Sequence, residues 1–456
     1  MVRYHFLQRF FRLACINILS NLLVPLAGLF DVAFLGHLSE IRYLAGVALA
    51  TVLFNYIYWT FGFLRMGTTG TTAQAVGRKD NADVLVIGVR NGLLALSLGL
   101  IILVLQHPLR DLGFALLSAT PEVKAAARDY YNTLIWGAPA TLFNFVLVGW
   151  FLGREQSAKV LLLSGVANAA NIALNYLLIV RWGLASAGAG SATAISQYLM
   201  LGVGLVLIYR DRHEFVKIDT ARIFDPTALK AAFTLNRDIL VRTLVLVSTF
   251  ALFTNLSSAL GTDVLVTNTL LMQVVTLAAY FIDGIAFATE SLAGIFRGQK
   301  TRLFVPLLCV SGSTSLLIGL LFAAMFAGFP TQLFGLLTNH TAAIAQIDRY
   351  VLWLLPVLGF GSLAYMLDGY FLGLTAGRIL RQSSIVAAAV GVALMLIAIP
   401  FESNNLLWLA LSCFMATRSL TLALCVPNLT ASASTPPVRP KTPTPSAPPT
   451  DCDQRP

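Results

Sequence analysis

The chain alternates between long apolar runs and short polar joints. Each apolar run covers about twenty residues, which is enough for one helix to cross a bilayer. The runs lie near 13–36, 43–66, 84–106, 126–150, 159–180, 184–209, 238–260, 264–290, 303–328, 346–372, 379–400 and 405–426. The joints between them carry glycine and basic residues, as in "GRKDNAD" from residue 77. This pattern predicts an all-α membrane protein with twelve transmembrane helices.

The two halves of this pattern resemble each other at an offset near 220 residues. "FLRMGTTGTTAQAVGRK", ending at Lys79, aligns without a gap with "GIAFATESLAGIFRGQK", ending at Lys300. "APATLFNFVLVGWFLGREQSAK" from 138 and "LPVLGFGSLAYMLDGYFLGLTAGR" from 355 share a leading proline and a G-[WY]-F-L-G core. Six helices followed by six of the same polarity predict two pseudo-symmetric lobes around a central cleft, related by an axis along the membrane normal.

Polar stretches mark the predicted domain boundaries. The longest interruption, 210–236, carries six basic residues and is interpreted as a cytoplasmic linker between a lobe at 1–209 and a lobe at 237–426. The tail at 427–456 is rich in proline, serine and threonine. Because it has little apolar surface to bury, it is predicted to be disordered.

Composition supports the membrane assignment and gives an orientation. The chain is 57% hydrophobic and 11% charged, whereas soluble domains have roughly 25% charged residues. Of its 31 Lys and Arg residues, 21 lie on the side of the amino terminus, six on the other side and four in or beside spans. This asymmetry predicts cytoplasmic termini in a multi-pass protein of the inner cell membrane. The first run is too long for a signal peptide and lacks a cleavage site, so it is expected to remain as a helix.

The remaining bulk features narrow the class of function. The net charge of +10 comes from basic residues spread over the joints, so no nucleic-acid partner is predicted. Five scattered cysteines indicate neither a metal site nor a disulfide framework. The sequence has no P-loop, GxSxG or HExxH motif. We therefore predict a monomeric transporter, not an enzyme, with no cofactor, energised by H⁺ or Na⁺, whose partners are a small-molecule substrate and the bilayer.

A few ionisable residues interrupt the spans. A charged side chain at a helix centre costs about 2.5 to 3.5 kcal/mol on insertion scales, so such residues usually face protein or water. They are therefore functional candidates: Asp31, Arg65, Arg90, Asp283, Glu290 and Asp368. For Arg65, Arg90 and Glu290 the alternative is a structural role near a helix end.

Asp31 is the strongest candidate because it shares a helical face with other polar or small residues. Asn17, Asn21 and Gly28 fall with it in an arc of roughly 80° at 100° per residue. Pro25 precedes it by one and a half turns, where the missing backbone N–H permits a bend. A helix that bends and carries an acid on its inward face fits ion-linked gating; the alternative is a hydrogen-bonded aspartate in a packing kink.

The fifth span presents a second polar stripe. Asn168, Asn171 and Asn175 are spaced i, i+3, i+7 and therefore lie on one face. Because three amides in contact with lipid would be unfavourable, they are expected to face a cavity or Asp31. They form either part of a site or contacts between helices.

The second half has acids of its own. Asp283 and Glu290 lie two turns apart on the eighth span, and Asp368 interrupts "AYMLDGYFLG" on the tenth. These residues can form a second acidic cluster. Aromatic residues are candidates for contact with an amphipathic substrate: Phe143, Phe145, Trp150, Tyr280, Phe281 and Tyr365. The supporting polar residues of the first lobe are Asn17, Asn21, Asn168 and Arg65.

Several motifs in these spans resemble the multidrug and toxic compound extrusion (MATE) family, most closely its DNA-damage-inducible F branch. The matching stretches are "PLAGLFDVAFLGHL", "GFLRMGTTGTTAQAVG", "NIALNYLLIV…GLASAGAGSATAISQY", "FIDGIAFATESLAG" and "LDGYFLGLTAGRILRQSS". They follow the family's order and cover roughly residues 10 to 426. The resemblance implies two lobes around a V-shaped cleft, and export of organic cations or other toxic compounds against inflowing H⁺ or Na⁺. It also implies that Asp31 couples a cation together with polar groups of the fifth span, here Asn171 and Asn175. Many relatives carry an aspartate where this chain has Asn175.

Other functions remain open at this point. A flippase for lipid-linked saccharides, built on a related fold, is expected to have a strongly basic cleft, whereas the predicted interior is mainly acidic. An intramembrane prenyl or acyl transferase needs paired acids with metal spacing or a histidine motif inside one span. All five histidines lie in joints or at the termini. A receptor or scaffold without transport activity is a further alternative.

Overall fold

The computed structural model describes residues 2–38, 40–211, 220–301, 303–335 and 341–434, and within these ranges it contains helices and no strand. Twelve helices of these described ranges are long and apolar enough to span a membrane, which confirms the predicted fold class. In chain order, α1 to α12 are His5–Gly36, Ile41–Gly77, Asn81–Val104, Pro121–Gly153, Ser157–Arg181, Ala185–Arg210, Ala221–Ala259, Thr262–Gln299, Phe304–Gly328, Gln346–Gly373, Gly377–Ala398 and Asn404–Pro427.

The two halves end corresponding helices in the same way. Lys79 and Lys300 follow α2 and α8, and their φ angles are 59° and 55°. Glu155 and Thr375 follow α4 and α10, with φ angles of 57° and 53°. A left-handed residue just after a helix ends it and turns the chain. The internal repeat therefore extends to backbone detail, and α1–α6 and α7–α12 are the two lobes.

Helices α4 and α10 also share an interruption. Each contains a 3₁₀ turn, at Ile135–Gly137 in α4 and at Val351–Trp353 in α10. Pro139 and Pro356 lie in the first turn of the helical segment that follows. Proline fits a first turn because its missing N–H would have no partner within the helix. The leading prolines of the sequence repeat therefore mark the same structural position in both lobes.

The structure shortens the predicted linker and tail. Asp225 accepts a hydrogen bond from the backbone N–H of Thr227 at 3.0 Å and caps the long helical part of α7, Pro226–Ala259. Positions 226–236 are therefore helical, although the sequence placed them in the linker. The last helix likewise continues through Pro427 to Ser434, into the predicted tail. Within the predicted linker Thr220–Ile223 is also helical, and only 212–219 of the linker and 435–456 of the tail lie outside the described residues.

The lobes meet along a line of glycines near the basic joints. A Cβ atom on Gly70 would lie 2.2 Å from the carbonyl oxygen of Leu372, and one on Gly298 would lie 2.2 Å from that of Gln74. Only residues without a side chain allow α2 to approach α8 and α10 this closely. We call this contact the glycine seam, and its members are Gly70, Gly77, Gly294 and Gly298.

Ion pairs hold the joints of the first lobe at this end. Arg9 binds both carboxylate oxygens of Glu155, with Nε at 2.9 Å and Nη2 at 2.6 Å. Arg154 and Lys159 both donate to Oδ2 of Asp211, at 3.0 and 2.6 Å. Although burial raises the pKa of Asp211, the hydrogen bonds from Lys159 and Arg154 hold it below its usual value. Asp211 is therefore ionised at neutral pH and keeps both basic side chains in place.

Candidate functional site

A large cavity of about 770 Å³ lies between the two lobes. The α2 residues that line it precede the α2 glycines of the seam along the helix, so the cavity lies on the side of the seam away from the basic joints. The first lobe contributes Val24, Asn55, Tyr56, Trp59 and Arg65, and the second contributes Arg242, Phe250, Asp283, Glu290, Tyr365 and Asp368. This volume is in the range of drug-sized binding sites. We call it the central cavity.

A smaller cavity of about 340 Å³ lies inside the first lobe. Among the described residues its lining contains neither Asp nor Glu, and amide and hydroxyl groups dominate the polar part. These groups include Asn17, Asn21, Asn144, Asn168, Asn171, Thr193 and Gln197. Val24, Arg65 and Phe287 line both this first-lobe cavity and the central cavity. These three side chains therefore separate the two spaces.

Asp31 lies between α1 and α5 and is held by the asparagines of α5. It is 9% exposed, and its Oδ1 accepts a hydrogen bond from Asn175 Nδ2 at 2.5 Å. The same Nδ2 lies 3.0 Å from Asn171 Oδ1, and Asn171 Nδ2 donates to Thr193 Oγ1 at 3.0 Å. Within the described part of the chain Asp31 has no Lys or Arg partner. A hydrogen-bonded path thus joins the carboxylate to the first-lobe cavity, which Asn171 and Thr193 line.

The other polar residues of α1 separate in space. Asn17 is 1% exposed and lines the first-lobe cavity, and neither of its amide atoms has a hydrogen-bond partner in the described structure. Asn21 instead reaches the second lobe, because its Nδ2 donates to the carbonyl oxygen of Tyr280 at 3.3 Å. Gly28 has open space where a Cβ would be. The residues of the predicted stripe therefore have different roles. Asn17 lines the first-lobe cavity, and Asn21 forms a contact between the lobes.

Two further predicted residues lie near this region. Asn168 lines the first-lobe cavity, with Nδ2 bonded to the carbonyl oxygen of Ser164 at 2.8 Å and Oδ1 without a partner among the described residues. Pro25 lies within one uninterrupted helix, Val2–Gly36. A bend of α1 at Pro25 stays a prediction.

Arg65 connects the lobes. Its Nη1 lies 3.3 Å from Oε2 of Glu290 on α8, and its guanidinium carbon is 4.1 Å from the centre of the Phe287 ring. Glu290 is completely buried. The sequence predicts that Arg65 supports the first-lobe site; the structure places it in the lining of the first-lobe cavity and also at the floor of the central cavity, where it pairs with a second-lobe acid.

Replacing Arg65 by glutamine is expected to destabilise the protein. Removing one partner of a buried ion pair typically lowers the free energy of unfolding by roughly 3–5 kcal/mol, because the other charge stays buried without compensation. The double variant R65Q/E290Q should recover most of this loss. Thermal unfolding of detergent-purified protein measures both, and a double variant no more stable than R65Q would contradict the pairing.

The contacts of Asp368 show that the charged residues of the second lobe are not only acidic. Its Oδ2 is contacted by Arg242 of α7 and by Arg418 of α12. Arg418 is completely buried, and its guanidinium carbon is 5.3 Å from the centre of the Tyr365 ring. The three predicted acids do line one cavity. However, two of them are paired with arginines, so the prediction of a mainly acidic interior is wrong.

Asp283 is the acid in this group that has no salt-bridge partner in the described part of the chain. It is half-buried on α8, two turns before Glu290, and lines the central cavity. Of the aromatic residues proposed for substrate contact, Tyr365 lines the central cavity and Phe145 lines the first-lobe cavity. Trp150 instead packs in the core and donates to the carbonyl oxygen of Val84 at 2.8 Å.

Three residues that complete the surroundings of Asp31 and Asp368 are not among the candidates predicted from the sequence: Thr193, Arg242 and Arg418. Arg418 could have been found from the sequence, because it interrupts the apolar run 405–426 and a charged arginine inside a span is as unfavourable as a charged acid. Arg242 lies near the start of its run, where a solvated arginine would be unremarkable. Nothing local distinguishes Thr193 from the other small residues of α6.

Comparisons with known proteins point in one direction. A family model named MatE matches residues 17–177. DNA damage-inducible protein F of Escherichia coli K12 is 36% identical over 422 residues, which cover 90% of each chain. A probable multidrug resistance protein NorM of Synechococcus is 25% identical over 80% of this chain and 79% of its own. A solved outward-facing structure of a multidrug resistance MATE family transporter superposes with a TM-score of 0.85 at 20% identity, covering 94% of this chain and 96% of its own.

Proposed function

The chain belongs to the MATE family, in its DNA-damage-inducible F branch, and we propose that it is a secondary active antiporter. In this proposal it exports organic cations or other toxic small molecules in exchange for H⁺ or Na⁺, by alternating access of the central cavity. Multidrug efflux transporters are among its relatives. Neither a saccharide flippase nor a transferase gains support from these relatives.

The observation that carries the proposal is the environment of Asp31. A carboxylate that is buried within a span, and that is held by amides with no basic partner, changes its interactions when a positive ion arrives. A proton neutralises it directly. For Na⁺, the oxygens of Asp31, Asn171 and Asn175 provide hard ligands, and Asn175 Oδ1 has no partner in the described structure.

Coupling requires that the bound ion stabilise one arrangement of the lobes more than the other. A cation at Asp31 changes its bond to Asn175 and therefore the packing of α1 on α5. Helix α1 also contacts the second lobe, through Asn21 and the carbonyl oxygen of Tyr280 at 3.3 Å. A shift of α1 is thereby transmitted to the contact between the lobes.

The central cavity is the proposed substrate site. Tyr56, Trp59, Phe250 and Tyr365 give it aromatic surface, and Asp283 supplies a carboxylate without a salt bridge. Aromatic faces and an acid together attract organic cations. Cation coupling at Asp31 and substrate binding at Asp283 would then occur at separate sites, in different lobes.

The basic residues of the joints support one orientation of the protein in the membrane. The glycine seam closes the lobes at the end that carries the basic joints, and the positive-inside rule places such joints in the cytoplasm. In the proposed orientation both termini are cytoplasmic, the protein lies in the inner membrane, and the central cavity opens outward. One chain supplies both lobes, so a monomer is sufficient.

Purified protein in liposomes tests the proposal. A pH gradient or a Na⁺ gradient is imposed separately, and the movement of rhodamine 123, a fluorescent cation, is followed. One gradient is expected to drive rhodamine 123 movement well above the rate in protein-free liposomes, because only a protein that couples the two movements converts the gradient into movement of the dye. An ionophore that collapses the gradient is the control. The same slow rate with both gradients as in empty liposomes would rule out antiport.

A further inference from the structure

We propose that Arg242, with the buried Arg418 behind it, forms an anion-binding subsite in the second-lobe wall of the central cavity. The subsite takes the negatively charged group of a zwitterionic substrate, such as a carboxylate. This inference rests on the export function proposed above and narrows the substrate from organic cations in general to amphipathic zwitterions.

The first argument is the balance of charge. Arg65 and Glu290 pair with each other at 3.3 Å and leave no net charge at the floor of the cavity. Arg242 and Arg418, in contrast, share the single carboxylate of Asp368. Asp283 also interacts electrostatically with both arginines but forms no salt bridge with them, so one of the two arginines has no carboxylate of its own in contact. A buried charge without a contacting partner is unfavourable, so it is normally matched by a partner or retained for binding.

The second argument is unused hydrogen-bonding capacity. Arg242 is only 7% exposed yet lines the central cavity, and its Nε has no partner among the residues that the structure describes. Arg418, behind it, has neither Nε nor Nη1 paired within the same ranges. The planar fork of a guanidinium group matches a carboxylate in two parallel hydrogen bonds. Arg242 thus places at the cavity wall a guanidinium group whose hydrogen-bonding capacity is not fully used, and Arg418 adds positive charge from behind it.

The third argument is that the cavity has a second, negative pole. Asp283 lines the same space from α8 and forms no salt bridge with these arginines. The lining of the same cavity also includes apolar and aromatic residues, among them Leu246, Phe250 and Met272. A simple cation satisfies only Asp283, and a simple anion satisfies only the arginines. A zwitterion with an apolar body satisfies both.

A matched pair of dyes tests the subsite. Rhodamine 110 carries a free carboxylate beside its cationic ring system, and rhodamine 123 is its methyl ester, so the two differ in one negative charge. Binding is measured by fluorescence titration of purified protein, and transport in the liposomes described above. Wild-type protein is expected to bind rhodamine 110 at least three-fold more tightly than rhodamine 123. Tighter binding of the ester would overturn the proposal without the use of any variant.

Substitutions of Arg242 test whether this residue causes the preference for rhodamine 110 over rhodamine 123. In Arg242→Gln the affinity for rhodamine 110 should fall at least ten-fold, while that for rhodamine 123 changes less than two-fold. Arg242→Lys, which keeps the charge but loses the fork, should lie in between. Arg237→Gln removes an exposed arginine of the same helix and should change neither dye. Equal changes for both dyes in Arg242→Gln, or none, would contradict a subsite for anions.

The two proposals fail in different ways. If the protein is not an antiporter, neither dye moves in response to a gradient, whatever its affinity. If only the subsite is wrong, the gradient drives the ester and the protein shows no preference for the free acid. A misfolded variant would lose affinity for both dyes together. The ratio of the two affinities in the wild-type protein would then still test the subsite.

Discussion

Replacing Asp31 by asparagine is expected to lower gradient-driven export at least about ten-fold, because the charge that responds to the coupling ion is lost. The substitution keeps the size of the side chain and an acceptor for Asn175, whose Nδ2 lies 2.5 Å from Asp31 Oδ1. It also removes a buried charge, so stability should not fall. Initial rates of rhodamine 123 movement in liposomes, with and without the gradient, measure the effect.

Two further variants sharpen this prediction. Asp111→Asn removes an acid whose side chain is 61% exposed, outside the spans, and should leave export unchanged. The double variant D31N/N175D moves the carboxylate across the same hydrogen bond from α1 to α5. If the charge at this point is what matters, the double variant should recover part of the ion dependence. Undiminished and still ion-dependent export by Asp31→Asn would remove Asp31 from the mechanism.

Adding one methyl group to the glycine seam is expected to have the second largest effect. In Gly70→Ala the new Cβ would lie 2.2 Å from the carbonyl oxygen of Leu372 and 3.2 Å from its carbon. Both are backbone atoms, so α2 and α10 must separate. Such overpacking typically costs about 1–3 kcal/mol. Because the lobes must close along this line for the central cavity to open only outward, export should fall roughly 5- to 150-fold, at 1.4 kcal/mol per factor of ten.

Gly165→Ala is the matched control. This glycine also lies inside a helix, α5, but a Cβ added to it would have no atom within 4 Å. Alanine favours helix over glycine by about 1 kcal/mol, so Gly165→Ala should be neutral or stabilising. The two substitutions are chemically identical and should change the melting temperature in opposite directions. A seam variant as stable and active as Gly165→Ala would show that the close approach is not required.

The features that could be predicted from the sequence are those that a single helix determines. Twelve spans, the repeat and the lobes followed from the sequence because a bilayer imposes a length of apolar chain that is read locally. The pairing of α1 with α5 was also foreseen in part. Periodicity placed Asp31 and the asparagines Asn171 and Asn175 on helical faces, and the structure brings those faces together.

The boundaries at the two polar segments were less accurate. The sequence assigned 226–236 to a linker because its residues are polar, yet a cap at Asp225 starts a helix there. Helices outside the bilayer do not need an apolar run, so composition alone cannot detect them. The same holds for the helical residues that follow Pro427.

Local patterns along the chain are sufficient to predict the class of protein, its membrane architecture, its twofold repeat and the acid within the first span. The pairing of charges, in contrast, depends on how the helices pack in the folded protein. Arg65 and Glu290 are 225 residues apart, and Arg418 and Asp368 are 50 apart, on helices of different position and rotation. Span length and periodicity are properties of one helix, whereas an ion pair depends on how two helices are turned toward each other. For that reason a cluster read as acidic from the sequence is, in the folded protein, a cavity wall with a positive and a negative pole.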